Sequence, residues 1–297
     1  MALGSNQQTI TTGANFIPEV WINEVRAYLE ANLVLAARMK NFQFEGKKGD
    51  ILHVPDVTVF TTTAKSANTQ VTLQSPTEDQ FTLTINRHRE SSFLVEDMLA
   101  IQNAYDLRQH YTKNSGYAIA REIDTTLGTL YFSVLNTDGV GIINGNGVTW
   151  SSGAVSVGSD LTEAGLRFAI ERLDTANVPD DGNRCLWIHP AQKNALLAIA
   201  RFTEYQMLGP GGMPIRTGQF GEIFGVPVYI STQTSLSVTA HGNMLFHKDF
   251  GALAIQSAPR VQADYILEYL GWLFVVDVVY GYNVFRANHG VTFMTPQ

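Results

Sequence analysis

The chain has 297 residues, 45% of them apolar and only 16% charged, with a net charge of −7. Ample apolar content and modest net charge exclude intrinsic disorder, and the length holds one large domain or two ordinary ones. A charged share well below the usual ~25% points to an exterior that touches other protein.

No basic run exceeds Lys47-Lys48 or Arg87-His88-Arg89, so a dedicated DNA-binding face is not expected. Cys185 is the single cysteine, which rules out an intrachain disulfide and a cysteine-based zinc site. The first residues carry no basic segment followed by an apolar one. The longest apolar stretch, Leu270 to Val276, is broken by Gly271 and ends at Asp277, far short of the ~20 residues of a membrane helix. The chain reads as soluble and intracellular.

In chain order, residues 1–15 are polar and read as an arm. Pro18 opens a helix in which Val20, Trp21, Val25, Tyr28 and Leu29 recur at helical spacing up to about Arg38. Residues 46–92 change character. After the Gly49-Asp50 turn, Leu52 and Val54, Val57 and Val59, Val71 and Leu73, then Phe81, Leu83 and Ile85 alternate with polar positions. Nine threonines between Thr58 and Thr84 leave this β-ribbon thinly apolar. An isolated ribbon is marginal in water, so it must lie on something, and no local partner is visible.

A short helix is expected over Ser92 to Ala104, with Leu94, Met98 and Ile101 on one side. Asp106 and Gln109 form a capping-box pattern that starts a second helix, whose stripe is Ile119, Ile123, Leu127, Leu130 and Val134. Run from Leu107 to Leu135, it would be about 44 Å long. Six glycines in residues 138–160, and no Lys or Arg from 122 to 166, mark the best domain boundary. Asp160 and Glu163 form another capping box, followed by Leu166, Ile170 and Leu173. Pro179 to Gly182 reads as a turn, Cys185 to Ile188 as a buried strand, and Pro190 as the start of a helix with Leu196, Leu197 and Ile199. A loop holds Gly209 to Pro214. Val226 to Ile230 is a strand that Pro227 places at a beginning or an edge. From Met244 onward strands dominate.

The motifs offer little chemistry. The seven histidines are scattered, no H-E-x-x-H occurs, and His241 and His247 fit no helical metal pair, so no metal is expected. His189, before Pro190, reads as a helix N-terminal residue. No serine sits in G-x-S-x-G. Cys185, inside Cys-Leu-Trp-Ile, reads as a buried inert thiol. The glycines at 139, 141, 145 and 147 make no dinucleotide fingerprint, and Gly209 to Gly212 is followed by no Lys-Ser or Lys-Thr. Asp180-Asp181 and Glu78-Asp79 fall in expected turns. Arg87, Arg89 and Glu90 cluster at the foot of the ribbon, either as an exposed strand end or as an interface ion pair. No catalytic constellation emerges, and no cofactor is expected.

The order of these parts resembles a tailed-phage major capsid protein of the Hong Kong 97 fold, over nearly the whole chain. Phe16-Ile17-Pro18-Glu19-Val20-Trp21 resembles the start of many phage coat proteins. Gly49-Asp50-Ile51-Leu52-His53-Val54-Pro55 is similar to their "G-D-T-V-x-I-P" lead into the E-loop, the ribbon that lies over a neighbouring subunit. Tyr105 to Arg108 with Ala118 to Asp124 resembles the spine helix of the peripheral domain. Val178 to Arg184, then Trp187 to Pro190 with Leu196-Leu197, resembles the strand-then-helix of the axial domain, and Gly221 to Tyr229 its return. Ala254 to Gln256, Glu268 to Gly271 and Val279 to Gly281 resemble the closing strands of the peripheral domain.

The resemblance implies an α+β fold divided into an N-terminal arm and helix (1–45), the E-loop (46–92), a peripheral domain (93–137 and 244–297) and an axial domain (138–243). It implies pentamers and hexamers that build an icosahedral shell around double-stranded DNA, without sequence-specific binding and without a membrane. The virion is the implied location, after synthesis in the bacterial host cytoplasm. A separate scaffolding protein, a portal protein and a cement protein are the implied partners. Phe60, Lys65, Asn68, Arg87, Arg89 and Glu90 are the candidate inter-subunit contacts. The founding member of the family crosslinks a ribbon lysine to an asparagine. Lys65 is the one lysine in the distal half of this ribbon, and no crosslink is expected of it. An encapsulin-type nanocompartment shell shares the fold, and a small α+β enzyme is the alternative from another class.

Overall fold

The computed structural model describes residues 34–43, 48–57, 60–75, 78–98, 107–134, 142–147, 159–199, 221–237 and 240–296. The polar arm, the helix opened by Pro18 as far as residue 33, the Asp106 cap and the loop at 209–214 lie outside them. Two sheets and one ribbon organise the described residues.

The first sheet has four strands. β1 (Lys40–Gln43) runs parallel to β11 (Gly251–Ile266), which pairs antiparallel with β12 (Gly271–Val284), and β12 with β4 (Arg87–Glu96). On it lies the long helix α2 (Leu107–Gly128), whose last turn tightens into a 3₁₀ segment, Thr129–Val134. The expected stripe is what it buries: Ile119, Ile123, Leu127 and Leu130 pack with Leu253, Val276, Val278 and Tyr280. A four-residue helix, α1 (Leu35–Arg38), is tied to α2 by Asp124. The Asp124 carboxylate accepts from the backbone N–H of Leu35 at 2.7 Å, Ala36 at 3.2 Å and Val34 at 3.4 Å.

The second sheet has seven strands. Its path runs from β5 (Ile142–Asn144) to β13 (Gly290–Pro296), β10 (Ala240–His247), β6 (Arg184–Ile188), β8 (Val226–Ile230) and β7 (Glu222–Ile223), with β9 (Ser235–Ser237) on β10. Every residue of β6 is buried, as its continuous apolar run requires. Helices α3 (Glu163–Thr175) and α4 (Pro190–Leu197) cover a core of Leu166, Leu173, Leu186, Ile188, Leu196 and Phe293. His189 caps α4 as expected, its Nδ1 accepting from Ala191 N–H at 3.2 Å. The sheet draws strands from both sides of residue 243, since β13 and β10 lie between β5 and β6.

The ribbon is β2 (Ile51–Val57) paired antiparallel with β3 (Glu78–Thr84), in register from Ile51 opposite Thr84 to Val57 opposite Glu78.

Four local expectations are corrected. Residues 92–96 are not the start of a helix: β4 runs to Glu96, paired with β12. Phe93 and Val95 turn inward while Leu94 and Glu96 face out, so period-2 pairing overrides the Leu94 and Met98 helical spacing. Val71 and Leu73 alternate as in a strand, yet residues 60–75 form none. Helix α3 is capped by Thr162, which accepts from Gly165 N–H at 3.2 Å, and not by Asp160. Asp160 is drawn aside by Gln192, whose Nε2 donates to it at 3.2 Å.

The fourth correction is the ribbon's partner. Its base packs on its own chain. Leu83 and Ile85 are buried against Ala252 and Ala254, with Phe42, Leu52, Phe81, Val279 and Phe285 around them. Phe81 meets Phe285 edge-on at 5.0 Å between centroids. The apolar residues that fix this base are few, but they fall at the end where the ribbon joins the body. Polar ties add to them: Ile85 N–H donates to Asp50 O at 2.7 Å, and Asn283 Nδ2 to Thr82 O at 3.1 Å.

Candidate assembly interface

Beyond Val57 the ribbon leaves the body of its chain. Residues 60–75 are all exposed, including Phe60 at 62% and Leu73 at 89% of their full surface. The segment is held by its own polar contacts. Thr61 N–H donates to Gln74 Oε1 at 3.1 Å, and Gln74 Nε2 donates back to Thr61 O. At the tip, Thr69 Oγ1 donates to Ser66 O at 2.7 Å, and Asn68 takes a left-handed φ of 60°. Asn tolerates that region because its short polar side chain bonds locally. Lys65 lies exposed in the same tip. Phe60, Lys65 and Asn68 thus lie on one exposed segment.

Arg87, Arg89 and Glu90 are placed elsewhere, on β4, and the two arginines turn toward their own chain. The Arg87 guanidinium lies 5.7 Å from the centre of the Tyr282 ring, and Nη2 donates to the Tyr282 hydroxyl at 3.3 Å. Arg89 Nη2 meets Glu122 Oε1 on α2 at 3.0 Å. Glu90 is exposed and stands opposite Asp277 on β12. The buried Asp277 is served by Arg260, at 2.9 and 3.1 Å, and by His88 at 3.3 Å. The Arg260 hydrogen bonds hold the Asp277 carboxyl below its usual range.

A second exposed surface escapes the sequence reading. The turn of the β11–β12 hairpin lies at the end of the sheet, level with the end of β4, and presents Leu267 at 78% exposure with Tyr269, Leu270 and Trp272. Met98, just after β4, is exposed nearby, since Asp97 N–H donates to Leu270 O at 3.0 Å. The tip is braced: Tyr265 OH donates to Asp97 Oδ2 at 2.6 Å, and the Tyr265 and Trp272 rings meet at 5.4 Å. That hydrogen bond raises the Tyr265 pKa. Large apolar side chains gathered at a braced turn are an unusual use of surface in a solitary protein. The sequence carries the signal as Leu-Glu-Tyr-Leu-Gly-Trp, an apolar cluster at a turn, where polar residues are the rule.

Burial pushes the Cys185 thiol up to about 12. His189 and His241 stack at 3.8 Å between centroids, and burial lowers the pKa of each. Among the described residues, no helix is long and apolar enough to cross a membrane.

A family model described as phage capsid protein matches residues 88–292. A solved structure from Mycobacterium phage Che8 superposes with a TM-score of 0.78 at 24% identity, covering 94% of this chain and 97% of its own. The capsid structure of cyanophage P-SCSP1u gives 0.78 at 17% identity, covering 99% and 97%. The capsid of a native GTA particle gives 0.67 at 13% identity, covering 99% and 100%. No curated protein matches.

Proposed function

The chain belongs to the phage capsid protein family and has the Hong Kong 97 fold, and from this premise we propose that it is the repeating subunit of pentamers and hexamers in an icosahedral shell around the double-stranded DNA of a tailed phage. Its role is structural and its place is the virion capsid. The observation that carries the proposal is the division of the ribbon. Its base is packed into the chain's own core, while residues 60–75 project with Phe60, Val71 and Leu73 uncovered. An ordered apolar projection of this kind is stabilised when a neighbour covers it. The exposed hairpin tip at Leu267 to Trp272 supplies a second surface for the same purpose.

The ribbon lies across an adjacent subunit, with Phe60, Lys65 and Asn68 in contact there. Arg87, Arg89 and Glu90 sit on β4, where the contacts of Arg87 to Tyr282 and of Arg89 to Glu122 set the angle at which the ribbon leaves. The proposed arm, E-loop, peripheral and axial divisions keep the boundaries read from sequence, with β10 and β13 joining the sheet of the axial strands β5, β6 and β8. An acidic wall encloses DNA without gripping it, which suits packing and release. A separate scaffolding protein, a portal and a cement protein complete the particle, and synthesis takes place in the host cytoplasm.

The test replaces residues 60–75 by a short Gly-Ser linker. The subunit is expected to stay soluble and to unfold cooperatively with near-normal helix content, while closed shells are lost in electron micrographs of the protein made with its scaffold. Normal shells from the variant would refute the role of the ribbon.

A further inference from the structure

Three ligand-type side chains meet where the two sheets join. His247 ends β10, Asp249 lies in the turn to β11, and His289 ends the short 3₁₀ turn Ala287–His289 before β13. The pairing of β10 with β13 puts Phe246 opposite Gly290, so the residues just beyond, His247 and His289, face each other. Their rings sit 5.6 Å apart, edge to face. One ligand atom from each of the three residues lies within 4.8 Å of the others. We propose that His247, Asp249 and His289 form a site for a divalent first-row transition ion of the zinc type, with Asp181 orienting His247 from behind.

Two independent features support a ligand here. His289 is 92% buried (8% exposed), and its Nδ1 is shut off from solvent without a hydrogen-bond partner. A stranded imidazole nitrogen is costly, and a cation would satisfy it. The other feature is the arrangement of His247. Its Nε2 faces Asp181 Oδ1 at 3.1 Å, on the side away from Asp249. This is the carboxylate–histidine pairing that fixes the tautomer of metal-bound imidazoles, and it leaves Nδ1 as the free base. That Nδ1 now accepts only a 3.2 Å contact from Asp249 N–H. Lys40 Nζ holds Asp249 Oδ1 at 3.2 Å, so an ion would share or displace that ammonium.

Ion-bound imidazole nitrogens lie about 2.0–2.1 Å from zinc, which places tetrahedral ligands about 3.4 Å apart. Closing from the present spacing takes small side-chain rotations within a rigid frame. Phe250, fully buried, accepts at its carbonyl from Phe285 N–H at 2.8 Å and Arg286 N–H at 3.3 Å. Water or a group from a neighbouring subunit would complete the fourth position. An ion here would lock the turn between β10 and β11 to the one before β13, and so pin one sheet to the other.

The experiment titrates the full-length unassembled chain with zinc chloride by calorimetry and with Co²⁺ by visible absorption. One saturable zinc per chain is expected, with a raised melting midpoint and the intense bands of tetrahedral cobalt. His289→Ala and Asp249→Asn should each weaken binding at least about tenfold, and Asp181→Asn by about 10–100-fold. His53→Ala, on the exposed face of the ribbon, should bind like the wild type. If His289→Ala fails to fold by circular dichroism, Asp249→Asn and the wild-type cobalt spectrum decide. Absence of a stoichiometric site in the wild type, or unchanged binding in Asp249→Asn together with any folded His289→Ala, overturns the proposal.

Discussion

Asp124 is the most consequential buried charge in the long helix, and its removal can be costed. The first turn of α1 has no cap of its own, because Val34 offers no side-chain acceptor. Asp124, fully buried on α2, takes that role from across the core. Asp124→Ala deprives three backbone N–H groups of their acceptor, and two of the residues that carry them, Val34 and Leu35, are buried. An unsatisfied buried donor costs about 1–3 kcal/mol, and removing the carboxylate relieves part of its own desolvation. The net loss is about 2–4 kcal/mol. With an unfolding entropy of about 2.1 cal/mol/K per residue, the melting midpoint falls by about 3–6 °C. Asp124→Asn keeps one oxygen for the Leu35 and Ala36 donors and should lose less than half as much.

The same residue gives a pH signature. Burial, against the three backbone hydrogen bonds, raises the Asp124 pKa above its ordinary 3.8. The folded chain therefore holds this proton more tightly than the unfolded chain. Stability from the group is greatest below the unfolded value and declines as pH rises through the folded one. Urea denaturation of wild type and Asp124→Asn across that window should show the difference between them shrinking with rising pH, once the constant hydrogen-bond loss is subtracted. A loss under about 1 kcal/mol in Asp124→Ala at neutral pH would refute the capping role.

Two further outcomes follow from packing. Gly281→Ala would put a methyl group 2.4 Å from Thr84 O and 2.8 Å from Ile85 Cα, both backbone atoms that cannot swing away. It should destabilise the subunit by about 1–3 kcal/mol and yield malformed shells in micrographs, since the ribbon base must shift. Normal stability and normal shells together would contradict the close approach. Cys185 should resist thiol reagents in the native subunit and react at once after unfolding, because burial keeps it protonated up to about 12. Fast native labelling at neutral pH would contradict that placement.

Local signals made much of the fold legible. The stripe Ile119, Ile123, Leu127 and Leu130 marked the buried face of α2, and Cys185 to Ile188 marked a central strand. Proline before a run of good helix formers placed α4, and His189 its cap. What stayed hidden depended on partners distant in sequence. Ser92 to Glu96 looks helical until β12 is there to pair with it. Leu83 and Ile85 look like a thin ribbon face until Ala252 and Ala254 lie beneath them. The hairpin tip needed the length of β11 and β12 to show that Leu267 and Tyr269 stand clear of any core. His289 gave no sign at all, since only the β10–β13 register brings it to His247.

The ribbon's two halves explain why one segment can be both part of a folded chain and a contact for another. An extended hairpin free at both ends would cost too much order on docking to contribute much affinity. Here half of that ordering is already met within the subunit. Leu83 and Ile85 are buried, Asp50 and Asn283 close the backbone around them, and Gly281 lets the base cross β12 without a side chain between. The base thus aims residues 60–75 at a fixed angle to the sheet that carries α2. In the proposed shell, a shift at that joint is multiplied along the projecting strand. At about 3.3 Å per residue, β2 carries its tip roughly 20 Å from Ile51, so a tilt of a few degrees at the base moves the tip by 1 Å or more. Assembly defects are therefore expected from substitutions at Gly281, Phe81 or Phe285, residues that belong to the subunit's own core.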